Sequence, residues 1–282
     1  MPLKVTFDTN VLDLACRPGR FPKDSRQPDL RKVYDALLDG KIEGFYPVTM
    51  LTIEGVVKCA RARVYGGTQI TTGPETVSIL RAEELPDSLR ERWGDEDFEQ
   101  IRRELRVEQP DRKSLHREVQ ARVRAANTLG LKALKAPPRI GAFHIQDNEE
   151  NFYLSTGAGD ELKAWIARVH KIARAIEARG VEMAQVKALG LNSPDVETAW
   201  YKGLKSASDI HQVRAIERAF GEWADGDAIA SHIAYGVDVF CTNDVGKSNV
   251  AKSVLDHDNR QWLQRAYCVT FMSFDELLAT LP

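Results

Sequence analysis

The sequence predicts an α/β protein with a central parallel sheet, interrupted by a long, mainly helical stretch. Two observations carry that expectation. Short β-favouring apolar runs alternate with amphipathic helical segments at both ends of the chain. Two of those runs stop in the same way, on small polar residues and an acid: Leu3–Phe7 on Asp8-Thr9-Asn10, and Val237–Thr242 on Asn243-Asp244.

Composition narrows the class. At 282 residues, 43% hydrophobic and 28% charged, the chain suits one large soluble domain or a domain carrying an insertion. It holds no apolar run of membrane-spanning length, and the apolar stretch after Pro2 breaks at Asp8, so neither a membrane partner nor a leader is expected. Cys16, Cys59, Cys241 and Cys268 are scattered without a C-x-x-C pair, which argues against zinc or a disulfide framework and for a reducing cytoplasm. With 39 basic and 41 acidic residues, the net charge of −2 says little, and local charge is what matters.

In order, Leu3–Phe7 is the first strand, with Val5 and Phe7 apolar and Thr6 β-branched. Pro18, Gly19, Pro22 and Pro28 mark a loop. A helix is expected over 29–38 and a strand over 42–48, with Thr49 capping a long helix over 50–65 that carries Glu54 and stops at Gly66-Gly67. Residues 68–80 suit one or two strands, and two charged helices are expected over 95–107 and 111–129, capped by Asp95 and Asp111. Leu162, Trp165, Ile166, Val169, Ile172, Ala173 and Ile176 recur at helical spacing over 159–178; 181–189 reads as a strand, and Asn192-Ser193-Pro194 opens a helix to Trp200. Helices are expected over 209–220, 224–234 and 248–255, a last strand over 267–271, and a terminal helix capped by Ser273. The domain plan is therefore a core of residues 1–66 and 208–282 around an insertion of 67–207.

Between residues 101 and 139, eleven basic side chains face four acidic ones. Arg102, Arg103, Arg106, Arg112 and Lys113 lead this run. It is either a solvated helix face or a surface for phosphates, whose binding would then be salt-dependent.

The acids suggest chemistry. Asp8 and Asp244 end strands, while Glu54 and Asp227 lie in helices that follow strands or precede one. With parallel strands, all four lie on the carboxyl rim, where open α/β sheets place their ligands. Four carboxylates without a basic partner in the motifs would repel one another, and Mg²⁺ or Mn²⁺ would relieve that; oxygen-only donors favour such hard ions. Asp225 could ligate beside Asp227 or in its place. Asp227 is preferred because Ala228-Ile229-Ala230 puts a helix directly behind it.

The run Phe7-Asp8-Thr9-Asn10-Val11-Leu12 resembles the opening motif of PIN-domain nucleases. Asp227-Ala228-Ile229-Ala230, followed by Val239-Phe240-Cys241-Thr242-Asn243-Asp244, resembles their closing half. Glu54 stands where that family keeps its glutamate. The resemblance covers roughly residues 1–66 and 208–282. It implies a Rossmann-like three-layer α/β/α sandwich and a Mg²⁺- or Mn²⁺-dependent endoribonuclease, often the toxin of a toxin–antitoxin pair. It also implies Asp8, Glu54, Asp227 and Asp244 as metal ligands, with Asn10 and Thr242 orienting them. The partners expected from it are an RNA substrate and either an antitoxin or a second copy of the chain.

Other classes fit less well. A haloacid dehalogenase phosphatase needs a second Asp where Asn10 stands. No glycine-rich phosphate loop follows the first strand, and none of the six histidines sits beside a nucleophile motif. A catalytically silent PIN-type scaffold, binding nucleic acid or protein, is the non-enzyme alternative.

Overall fold

Five parallel strands form the sheet that positions the rim. A computed structural model of the chain describes residues 1–81, 83, 98–108, 115–139, 145, 151–191, 199–207, 209–246 and 252–281. In chain order the elements are β1 (Leu3–Phe7), α1 (Thr9–Cys16), α2 (Gln27–Leu38), β2 (Ile42–Pro47), α3 (Thr49–Thr52), α4 (Arg61–Gly66), β3 (Gln69–Leu80), β4 (Phe98–Glu108), α5 (Arg117–Thr128) and β5 (Lys132–Leu134). They continue as α6 (Asp160–Glu177), α7 (Met183–Leu191), α8 (Trp200–Gly203), α9 (Ile210–Tyr235), β6 (Val239–Cys241), α10 (His257–Tyr267), β7 (Thr270–Met272) and α11 (Phe274–Thr280).

The sheet order is β5-β2-β1-β6-β7, with every pairing parallel. The chain builds outward from β1 to β2 and β5, then returns to the other side of β1 with β6 and β7. The reversal of strand order therefore falls between β1 and β6, the point at which open α/β sheets open a crevice beyond the carboxyl ends.

Alternation along the strands divides the core into two layers. Val5, Phe7, Val239 and Cys241 pack with α1, α2 and α11 on one face. Phe240 packs with α6, α9 and α10 on the other. Thr6 also faces this second layer, where its hydroxyl shares a 2.9 Å hydrogen bond with Nδ1 of the buried His232. Helices on both faces give a layered α/β fold of Rossmann type. None of the helices among the described residues is long and apolar enough to cross a membrane.

Several elements differ from the sequence reading. The charged segment expected as a helix over 95–107 is β4, paired antiparallel with β3 in a separate two-stranded sheet, with Val77 opposite Ile101 and Ile70 opposite Val107. The backbone ladder with β3 overrides the helical propensity of Glu and Arg. The strand expected over 181–189 is α7, whose Met183, Val186 and Gly190 are buried at helical spacing. The helix expected over 50–65 breaks after Thr52. Leu51 O lies where a Cβ on residue 55 would stand, 2.3 Å away, so Gly55 lets the chain turn tightly there. Val48, not Thr49, occupies the N-cap position of α3. His116 rather than Asp111 caps α5, and residues 109–114 lie outside the described residues. The segment 252–255 is not helical; α10 begins at His257, capped by Asp256, and 247–251 lie outside the described residues. The helix expected from Asn192 falls mostly on residues outside the description. The short strand β5 had no counterpart in the sequence reading, and it pairs with β2 inside the stretch taken as insertion.

The two helices expected over 209–220 and 224–234 are one, α9, of 26 residues, capped by Asp209 and ended by Gly236 at φ 66°. Gly226 does not break it. A Cβ there would stand 2.1 Å from Cγ of Glu182, so the glycine is kept by close packing rather than by a bend.

Burial holds His232 neutral, pushing its pKa from 6.5 down to about 3. The unfolded chain takes up this proton near pH 6.5, whereas the folded protein does not do so until far lower. The stability His232 contributes is complete above pH 6.5 and is lost as pH falls. Relative to wild type, His232→Gln should flatten the acid limb by about 1.4 kcal/mol per pH unit below pH 6. Urea unfolding from pH 7 to 4 checks this, and parallel curves would contradict it.

Candidate active site

The acids of the rim gather around the end of β1. Asp8 directly follows β1 and is the N-cap of α1, where the helix dipole favours negative charge. Its Oδ1 accepts from Thr9 N at 2.7 Å. Its Oδ2 accepts from Asn10 Nδ2 at 2.7 Å and from the Thr242 hydroxyl at 2.6 Å. Asn10 Nδ2 also reaches Thr242 Oγ1 at 3.1 Å, and Asn10 Oδ1 accepts from Asn243 N at 3.0 Å. Asn10 and Thr242 thus fix Asp8 and tie α1 to the loop after β6.

Glu54 lies in the turn after α3, where its Oε2 accepts from the Thr9 hydroxyl at 2.5 Å. The break in the expected helix turns this glutamate toward β1. Arg61, buried at 4% exposure, holds the turn by donating to the carbonyls of Val56 at 3.2 Å and Glu54 at 3.4 Å, and it also reaches that of Glu217 at 3.3 Å. Asp244 is exposed; its amide donates to Thr242 Oγ1 at 3.1 Å and its Oδ1 accepts from Gly246 N at 2.8 Å. The fourth acid is Asp225, not Asp227.

Helix phase decides between the two. Residues two apart on a helix lie about 200° apart, so Asp225 and Asp227 face opposite ways. Asp225 faces the rim: burial, then the charges of Asp8, Glu54, Glu222 and Asp244, hold its carboxyl well above the usual carboxylate range. Asp227, 2% exposed, turns the other way. It accepts from Trp223 Nε1 at 2.8 Å and from Arg139 at 2.8 and 3.1 Å. Arg139 also pairs with the fully buried Glu182. The preference for Asp227 assumed a helix beginning there, but α9 begins at Ile210. A continuous helix puts Asp227 with Trp223 on a packed face.

The rim acids feel one another. Asp8 rises from 3.8 to about 6, through burial first, then the charge of Glu54, with Asp244 adding to it; the bonds from Thr242 and Thr9 oppose the rise. Among the described residues no basic side chain forms an ion pair with Asp8, Glu54, Asp225 or Asp244. Two residues the sequence reading missed belong here. Glu222, one turn before Asp225, is shifted upward by burial and by Asp244 and Asp256, and it accepts from Val254 N at 3.0 Å. Arg260 bonds the carbonyl of Asp244 and lies 4.9 Å from the ring centre of Phe271. The i, i+3 spacing of Glu222 and Asp225 was a readable signal. Arg260 had none, because its role depends on the loop it reaches.

The donor chemistry of the rim suits a hard divalent ion, since every candidate ligand is a carboxylate oxygen. The side chains do not enclose an ion as they stand: no three His, Cys, Asp or Glu among the described residues are close enough together to hold one.

Among the described residues the basic stretch does not make one surface. Arg122 pairs with Asp13 at 3.0 Å, Arg139 is spent on Asp227, and Lys132 bonds Asn151. Arg102 and Arg103 lie on β4 opposite Thr76 and Glu75, and Arg106 is exposed near its end; Arg112 and Lys113 lie outside the described residues.

Compared with models of known protein families, with curated proteins and with solved structures, the chain matches none.

Without divalent ions, the charged form of Asp8 opposes folding. Its folded pKa is raised, so its unfavourable contribution is absent below about pH 4 and complete above about pH 6. Asp8→Asn should therefore raise stability in EDTA at pH 7 by roughly 1–3 kcal/mol, and by much less at pH 4. Thermal unfolding of both proteins at the two pH values measures this; a destabilised variant at pH 7 would contradict it.

Proposed function

We propose that the chain is a divalent-metal-dependent nuclease with a PIN-like core, hydrolysing RNA phosphodiester bonds at Asp8, Glu54, Asp225 and Asp244. The observation that carries this reading is the gathering of four carboxylates at the strand-order reversal, with no ion-paired base among the described residues. Such repulsion favours a site that binds a cation.

Mg²⁺ or Mn²⁺ bound there would offset phosphate charge and acidify a water. The chain's own groups prepare for that. Thr9, Asn10 and Thr242 hold Asp8 and Glu54 with hydrogen bonds that restrict their rotamers. Arg61 holds the backbone of the Glu54 turn. Arg260, beside Asp244, supplies positive charge near where a substrate phosphate would lie. Asp227 stays outside the chemistry and keeps α9 in phase through Arg139.

Cleavage of total RNA with Mg²⁺ or Mn²⁺, with an EDTA control, tests the reading. Asp8→Asn and Asp225→Asn should each lower the rate by about 100-fold or more, whereas Asp227→Asn, assayed below its melting temperature, should stay within about tenfold of wild type. Cutting that survives EDTA, or that needs Asp227 but not Asp225, would overturn the assignment. A protein that cuts nothing and binds neither ion would support the silent-scaffold reading instead.

A further inference from the structure

A cavity of about 400 Å³ lies at the carboxyl ends of β2 and β5, and the proposed hydrolysis does not use it. Its walls are largely apolar, formed by Val48, Ile53, Pro137, Leu162, Trp165 and Ile166. Its size falls within the range of small-molecule sites, roughly 300–1,000 Å³.

The cavity holds one cation that makes no ion pair among the described residues. Lys135 lines the cavity; its ammonium stands 5.4 Å from the ring centre of Tyr153 and pairs with no carboxylate among the described residues. The other charged side chains at the wall, Arg139 and Asp227, are already paired at 2.8 Å and bonded to other buried groups.

We propose that this cavity is a second ligand site, distinct from the acid rim, for a small apolar monoanion such as an arylalkyl carboxylate. The apolar body fills the walls beside Trp165, and the carboxylate meets Lys135. One unpaired ammonium balances one negative charge, which favours a carboxylate over a doubly charged phosphate. Helix phase separates the two sites: Asp227 faces the cavity and Asp225 faces the rim. The inference therefore does not depend on the nuclease reading.

Titration calorimetry of the full chain with 4-phenylbutyrate, 4-phenylbutanol and 4-phenylbutylamine tests it. The acid should bind at one site, ahead of the alcohol, with the amine weakest. Lys135→Met should weaken the acid by about tenfold and leave the alcohol unchanged. Leu162→Trp, which fills the cavity, should remove binding of all three; if it does not fold, Lys135→Met still decides. Three results would each overturn the proposal: no saturable binding by any of the three at about 1 mM, equal acid affinity in Lys135→Met, or the amine ahead of the acid.

Discussion

The arrangement depends on the parallel seam between β1 and β6, strands more than two hundred residues apart in the chain. Phe7 lies opposite Cys241, so both strands end at the same height. Thr242 then closes the seam with a 2.6 Å hydrogen bond to Asp8. Asn10 spans the same gap from α1, reaching Thr242 with its amide nitrogen and the Asn243 amide with its carbonyl oxygen. The acid that the whole rim faces is therefore held by both halves of the fold. Burying it costs stability, and the neighbouring acids add to that cost instead of relieving it. Energetically the rim is an incomplete electrostatic arrangement, which is the physical reason for proposing that it binds a cation.

A second constraint is the phase of α9. Arg139 reaches Asp227 and Glu182 together, and Glu182 packs against Gly226 so closely that no side chain fits there. Burial first, then the charge of Asp227, push the Glu182 carboxyl well above the usual carboxylate range, while Arg139 opposes that shift; Arg139 also stands 3.9 Å from Glu177. This buried cluster fixes the rotation of the helix and so decides which of two nearby aspartates meets Asp8. Breaking such a buried pair is far more costly than losing a surface ion pair, and a packed face is the natural place for one.

Much of this was legible from local pattern. β1, β2 and β6 were readable because each is a short apolar run ended by turn residues, and Asp8, Glu54, Asn10, Thr242 and Asp244 were readable from their places relative to those runs. The three residues of β5 are too few to show any period, and β4 reads as a helix because its stabilising partners lie on β3, outside its own window. The choice between Asp225 and Asp227 needed the register of a helix whose start lies well upstream, while the sequence reading divided that helix between Phe220 and Ala224. Arg139, Glu182 and Arg260 were invisible because each acts through contacts distant in sequence. Local physics thus placed the strand ends, and long-range packing selected which side chains face them.

The proposed cation site consists of Asp225, Asp8, Glu54 and Asp244 and excludes Asp227. Calorimetric titration of Mn²⁺ into wild type, Asp225→Asn and Asp227→Asn tests it without reference to any substrate. The account predicts Mn²⁺ binding by wild type, at least about tenfold weaker binding by Asp225→Asn, and near-wild-type affinity in folded Asp227→Asn. Binding that is lost with Asp227 and unaffected by Asp225 would contradict the account.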